Sequence, residues 1–239
     1  MKKHPLLKSE KMHRTPTGIP GFDKIIEGGL VTKSVNLISG DAGTSKSIFC
    51  TQYLINGIVK YNEPGLYVSF GERKENVYKE MKLFGWDLEK LEKQGKFMFL
   101  EYTPEQVENV IRTGGGIISD VVLSINAKRV VIDSITAITL LYESAVVKRA
   151  ALLELFDLIR RWNCTALLIS ESPQVIGQHH TTMEEFQVDG DILMYNVMKN
   201  NRRQLFLEVF KMRATCHSRN VYKIIIAKDG LRIEDVKHN

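Results

Sequence analysis

The sequence predicts an α/β fold, a mostly parallel β-sheet flanked by helices, with an antiparallel strand extension at its C-terminal end. Short β-branched runs alternate with longer helical patterns over the first 170 residues. The runs are apolar almost end to end, as strands covered on both faces must be. After about residue 190 strands follow one another without intervening helices, which predicts the antiparallel extension.

In chain order, residues 34–39 are the first strand, and a helix opens at Ser47. Residues 65–70 and 97–102 are strands, followed by helices over 74–84 and 104–126. A strand over 129–133, a helix over 145–162 and a fifth strand over 165–170 complete the alternating part. Strands over 191–197, 204–212, 221–227 and 231–234 follow, with Asn200-Asn201 and Asp229-Gly230 as turn signals.

A chain of 239 residues with 44% hydrophobic and 26% charged residues buries a core without disulfides, so wholesale disorder and fibrous repeats are excluded. One domain over residues 15–239 is expected, preceded by a basic arm over 1–14 with Lys2, Lys3, Lys8, Lys11 and Arg14 against Glu10. Such an arm is most often a solvated tail. The three cysteines, Cys50, Cys164 and Cys216, show neither zinc-site nor disulfide spacing, which points to a reducing cytoplasm. No stretch nears the ~20 apolar residues of a membrane span, and the lysine-rich start lacks the apolar run of a signal peptide. The net charge of +5 suits a phosphate-bearing partner without proving one.

The sharpest motif is Gly40-Asp41-Ala42-Gly43-Thr44-Ser45-Lys46-Ser47, between the strand NLIS and a helix continuing with Ile48. A P-loop needs this context: backbone N–H groups curl around phosphates, Lys46 neutralises the β/γ charge, and the Ser47 hydroxyl ligates Mg²⁺. The bland alternative is a glycine-containing strand-to-helix turn, which seven matches out of eight in the right context disfavour. Ser45 stands where the pattern wants glycine. A positive φ there would cost a serine ~1 kcal/mol or more and weaken tight nucleotide binding. The strand RVVID ends in Asp133, which beside a P-loop reads as an acid holding Mg²⁺ through water, although an Asp at a strand end alone is more often a helix cap.

From Thr17 to about Glu234 the chain resembles the KaiC and RadA branch of the RecA-like ATPases. The resemblance rests on TGIPGFDKIIEGGL, the P-loop, GLYVSFGE, VVIDSITAI, YESAVVKR, EEFQVDGDIL and KMRATCHS in this order. It implies a RecA-like fold, ATP and Mg²⁺ as ligands, and a homo-oligomer, a hexameric ring or a filament, with ATP held between subunits. In KaiC-like proteins two glutamates end the second strand and the first activates the attacking water. Here the pair reads Gly71-Glu72, so Glu72 is the candidate catalytic base, or merely a carboxylate near a helix N-terminus. Lys211 and Arg213 match the element that reaches the neighbour's γ-phosphate, Thr215 and His217 follow in family register as nucleotide-binding residues, and Ala214 replaces the usual glycine. On a strand Lys211 and Arg213 would share a face. Ser170-Glu171 falls where the γ-phosphate is sensed. His179-His180 reads poorly as a metal site, because adjacent histidines point apart.

The expected function is that of a KaiC-like, oligomeric, ATP-binding regulator with impaired hydrolysis. Glu185 and Phe186 occupy the positions of phosphorylated residues in the autokinase lobe of the clock protein, so autokinase activity is not expected even with Thr181 and Thr182 nearby. The alternative is a RadA-paralogue recombination accessory. It is disfavoured because residues 162–198 contain no Lys or Arg to meet DNA phosphates; only the basic arm keeps weak, salt-sensitive binding open.

Overall fold

The computed structural model describes residues 12–178 and 182–236. Its elements are β1 (Arg14–Thr15), α1 (Phe22–Ile25), β2 (Leu30–Val31), β3 (Val35–Gly40), α2 (Lys46–Tyr61), β4 (Gly65–Ser69), α3 (Lys74–Lys82), α4 (Leu88–Lys93), β5 (Phe97–Glu101), α5 (Pro104–Arg112), α6 (Gly116–Ser124), β6 (Arg129–Asp133), α7 (Thr136–Leu140), α8 (Ala145–Arg161), β7 (Thr165–Glu171), β8 (Gly190–Lys199), β9 (Arg202–Met212), β10 (Tyr222–Ala227) and β11 (Gly230–Asp235).

One nine-stranded sheet runs β11-β10-β9-β8-β3-β7-β6-β4-β5. From β5 to β8 neighbouring strands are parallel, and the turn into β9 begins the antiparallel part. The expected extension is present, with β8 as the pivot: it pairs parallel with β3 and antiparallel with β9. Strands β3, β4 and β6 are buried at every position, as their unbroken apolar character requires. One face packs under α1 to α4 through Phe22, Phe49, Tyr53, Tyr78 and Leu88. The other packs under α5 to α8 through Val107, Val122, Ile138 and Phe156. The result is three layers, with the carboxyl ends of the parallel strands along one rim.

The helix expected over 104–126 is two helices, because Gly114, Gly115 and Gly116 all take positive φ and break the hydrogen-bond ladder between α5 and α6. The short β1, β2, α1, α4 and α7 carry too few residues for a periodic signal. Arg14 lies in β1, where it donates to Thr215 Oγ1 at 2.6 Å and pairs with Glu27 at 2.8 Å. Lys2, Lys3, Lys8 and Lys11 fall outside the described residues, as do His179, His180 and Thr181. Among the described residues no helix is long and apolar enough to cross a membrane.

Within the segment TGIPGFD one carboxylate ties the turn together. Asp23 accepts from Thr17 N, Thr17 Oγ1 and Gly18 N at 2.6–2.8 Å, which fixes the entry loop over α2.

Candidate nucleotide site

The loop 40–45 leaves the carboxyl end of β3 and feeds the N-terminus of the 16-residue helix α2. Gly43 at φ 74° and Ser45 at φ 71°, ψ 29° are both left-handed. Ser45 therefore adopts the conformation that the motif reserves for glycine. Its side chain makes no capping hydrogen bond with the helix to offset the cost. Gly40 is irreplaceable for a different reason: a Cβ there would stand 2.6 Å from the Met194 carbonyl and 2.8 Å from Thr44 Oγ1. Thr44 Oγ1 donates to Asp41 O at 2.8 Å and braces the turn.

Lys46 folds over the loop and donates to Gly40 O and Asp41 O at 2.8 and 2.9 Å. Burial pulls its pKa down, while Glu171 and then Asp133 push it back up. Ser47 Oγ donates to Asp133 Oδ2 at 2.9 Å, so the loop hydroxyl and the strand-end acid stand together at the head of α2. Tyr67 Oη donates to the same oxygen at 2.5 Å. Burial raises the Asp133 pKa, against the hydrogen bonds from Tyr67 and Ser47 and the charge of Lys46.

These groups open on a cleft of about 490 Å³ lined by residues 42–48, Phe70, Gly71, Glu72, Asp133, Ser134, Thr136, Leu140 and Glu171, among others. A hydroxyl and a carboxylate converging there form the hard oxygen set that Mg²⁺ takes, and the loop before α2 forms the cradle that phosphates take. Glu72 stands at the cleft, its main chain held by Ser69 Oγ, which donates to Glu72 O at 2.7 Å and accepts from Glu72 N at 2.9 Å. Burial raises its pKa, and the charges of Asp133, Glu80 and Glu171 add to the shift. Gly71 faces open space: a Cβ there would meet nothing within 4 Å. At the end of β7 it is Glu171 that lines the cleft, with its N–H donating to Thr136 Oγ1 at 2.8 Å; Ser170 is buried in the sheet.

Lys211, Arg213, Thr215 and His217 lie elsewhere. Gly190 pairs with both Asn36 and Met212, whereas the loop begins at Gly40 beside Met194. The four-residue offset puts the basic pair about 13 Å down the sheet from the chain's own P-loop, toward its opposite rim. Lys211 Nζ donates to Glu185 O and Val188 O, both at 2.8 Å. Arg213 lies just past β9, more than half exposed, and pairs with Asp189 at 3.6 Å. The two therefore hold separate partners and do not share a strand face. Ala214 takes φ 52°, the left-handed conformation for which glycine is the natural residue. Thr215 Oγ1 donates to Arg213 O, and His217 lines a second cleft with Gly21, Lys24 and Tyr222.

The sequence reading missed Tyr67, Ser69, Thr136 and the orientation of Glu171. Tyr67 and Ser69 read as apolar-strand residues in GLYVSFGE, and only the pairing of Ser69 with Asp133 across β4 and β6 brings them to the site.

The sequence profile of the KaiC ATPase family matches residues 15–238. The circadian clock oscillator protein KaiC of Parathermosynechococcus lividus is 35% identical over 225 residues, which cover 91% of this chain and 41% of that protein. KaiC of Synechococcus elongatus is 34% identical over 225 residues, 91% of this chain and 43% of that protein. The chain thus spans less than half the length of these curated relatives. The crystal structure of a KaiC-like protein from the archaeon Pyrococcus horikoshii OT3 superimposes with a TM-score of 0.82 at 36% identity, covering 93% of this chain and 99% of that one. The chain belongs to the KaiC family of RecA-superfamily ATPases.

Proposed function

We propose that the chain binds Mg-ATP between two copies of itself, one supplying the loop 40–48 and the other Lys211 and Arg213, and that it hydrolyses the nucleotide slowly. The observation that carries this reading is the charge of the cleft. Among the described residues lining it, Lys46 is the only cation, against Glu72, Asp133 and Glu171. A polyphosphate is repelled by such a site unless a divalent ion and further cations join it. Lys211 and Arg213 lie about 13 Å down the sheet from their own loop, which supports a second copy as the source of those cations.

Within the site, Lys46 gives up its two carbonyls for the phosphates, and Ser47 Oγ and Asp133 would hold the metal. A bound Mg²⁺ would supply positive charge against the phosphates. Glu72 accepts a proton from the water that attacks the γ-phosphorus as the bond to the β-phosphate oxygen breaks. Its raised pKa means that turnover falls on acidification at a higher pH than an ordinary carboxylate near 4.3 would give. With glycine at position 71, a single carboxylate carries this task.

Two measurements test the reading. Calorimetric titration with Mg-ATP is expected to show binding that Lys46→Ala abolishes; no binding to the wild type would overturn the P-loop assignment. Size-exclusion elution is expected to shift to larger species on adding Mg-ATP, and Arg213→Ala is expected to lose the shift.

A further inference from the structure

The strand pair β8–β9 buries an acid that the nucleotide site does not use. Asp191 is fully buried, and neither of its carboxyl oxygens completes a hydrogen bond. It stands directly across the ladder from Lys211, where a bulge shifts the register between Asp191 and Ile192. Lys211 itself is only lightly held, by the two main-chain carbonyls of Glu185 and Val188. Ser39 Oγ, on β3, is close enough to favour the ionised acid but likewise completes no hydrogen bond. A buried carboxylate with no donor is strongly disfavoured as the ion. Burial pushes the Asp191 carboxyl up to about 8, Glu185 adds to the shift, and Lys211 opposes it.

We propose that Asp191 is a positioning residue for Lys211: its carboxyl decides whether the ammonium stays on the 185–188 segment of its own chain or extends to the nucleotide of a second copy. This rests on the intersubunit reading above. With Asp191 neutral, Lys211 keeps the two carbonyls and the attraction of Asp189 and Glu185, and phosphates outcompete them. With Asp191 ionised, a carboxylate inside the low-dielectric sheet retains the ammonium. Reaching across therefore needs the neutral acid, so association takes up a proton and weakens as pH rises through the Asp191 pKa. The other ionisable groups around the pair are Glu185 on the segment before β8, Glu208 on β9, Tyr195 on β8, and Asp189 with Arg213 beside Lys211.

The experiment is sedimentation velocity of the full chain with Mg-ATP between about pH 7.5 and 9.5. In the wild type the association constant per interface is expected to fall by up to about tenfold per pH unit above the Asp191 midpoint. Asp191→Asn, isosteric and always neutral, is expected to stay level within about twofold, the residual drift being that of a site with no titrating acid. If Asp191→Asn keeps the wild-type slope, or moves it to lower pH as loss of the Lys211 proton would, the proposal falls. Arg213→Ala separates the two readings. Should it associate as the wild type does, the intersubunit reading fails and this one with it. Should it lose association while Asp191→Asn keeps the slope, only the Asp191 role fails. A ¹³C NMR titration of the Asp191 carboxyl in the chain without ATP is independent of assembly and of how the variant folds. A midpoint near 8 that moves upward in Lys211→Met supports the role; an ordinary midpoint near ~3.9 overturns it.

Discussion

Restoring a carboxylate at position 71 isolates the hydrolytic step from everything else the fold does. A Cβ at Gly71 meets nothing within 4 Å, and the backbone there is not left-handed, so Gly71→Glu enters without strain. The expected stability change is within about 0.5 kcal/mol. The new side chain starts next to Glu72, at a cleft shared with Asp133 and Glu171, where like charges raise its pKa and strengthen it as a base. Positioned general bases contribute about 10²–10⁴ in rate, or about 2.7–5.4 kcal/mol of barrier. Glu72 already supplies part of this, so the expected gain is at or below the low end of that range, about 10–100-fold in kcat with little change in ATP affinity. The assay is steady-state phosphate release at saturating Mg-ATP, run beside Gly71→Gln. A Gly71→Glu rate within twofold of wild type, or an equal gain from Gly71→Gln, would refute the idea that the missing base limits turnover.

Three further outcomes follow from named contacts. Ser45→Gly and Ala214→Gly each relieve a left-handed L-residue and are expected to raise stability by about 0.5–1 kcal/mol, or about 1–4 °C in Tm by calorimetry. Gly57→Ala is expected to cost about 2–4 kcal/mol in urea unfolding. Its Cβ would stand 2.4 Å from Arg129, which is fully buried, pairs with Glu63 and donates to Tyr53 O, and so has no room to yield. A fluorescent oligonucleotide is expected to show no specific complex at 150 mM salt; a tight complex surviving there would revive the recombination-accessory reading.

The parts of this fold that the sequence shows are those where a residue type has one physical use. Continuous apolar runs have to be central parallel strands, and the glycine-lysine-serine loop has to follow one of them. That Ser47 and Asp133 would serve one ion was legible because the loop leaves the carboxyl end of β3 and Asp133 closes β6, on one rim of the sheet. Legibility fails where function depends on register. Nothing in GLYVSFGE distinguishes Tyr67, which braces Asp133, from its apolar neighbours until β4 is set beside β6. Nor does DGDIL reveal that Asp191 faces Lys211, since a one-residue slip would turn it outward. The alternation rule for Lys211 and Arg213 failed because β9 ends between them.

On the proposed reading, the two departures from the family pattern, Ser45 in the loop and Gly71 after β4, fall unevenly on binding and on turnover. Ser45 carries a backbone cost, yet the loop keeps its left-handed turn and Lys46 and Ser47 keep their places, so the cradle survives. Gly71 removes a group with no substitute in the same place, because Ser69 Oγ locks the neighbouring main chain and fixes where the Glu72 side chain starts. On the proposed reading, ATP stays bound for long before it is hydrolysed, and occupancy rather than turnover sets the assembled fraction. Occupancy has ample leverage for that: a ligand at a hundred times its Kd shifts a linked equilibrium by about 2.7 kcal/mol, close to a hundredfold. If the proposed function holds, assembly follows nucleotide concentration, and the Gly71→Glu chain, which would hydrolyse faster, is expected to hold the assembled state for a shorter time after ATP is withdrawn.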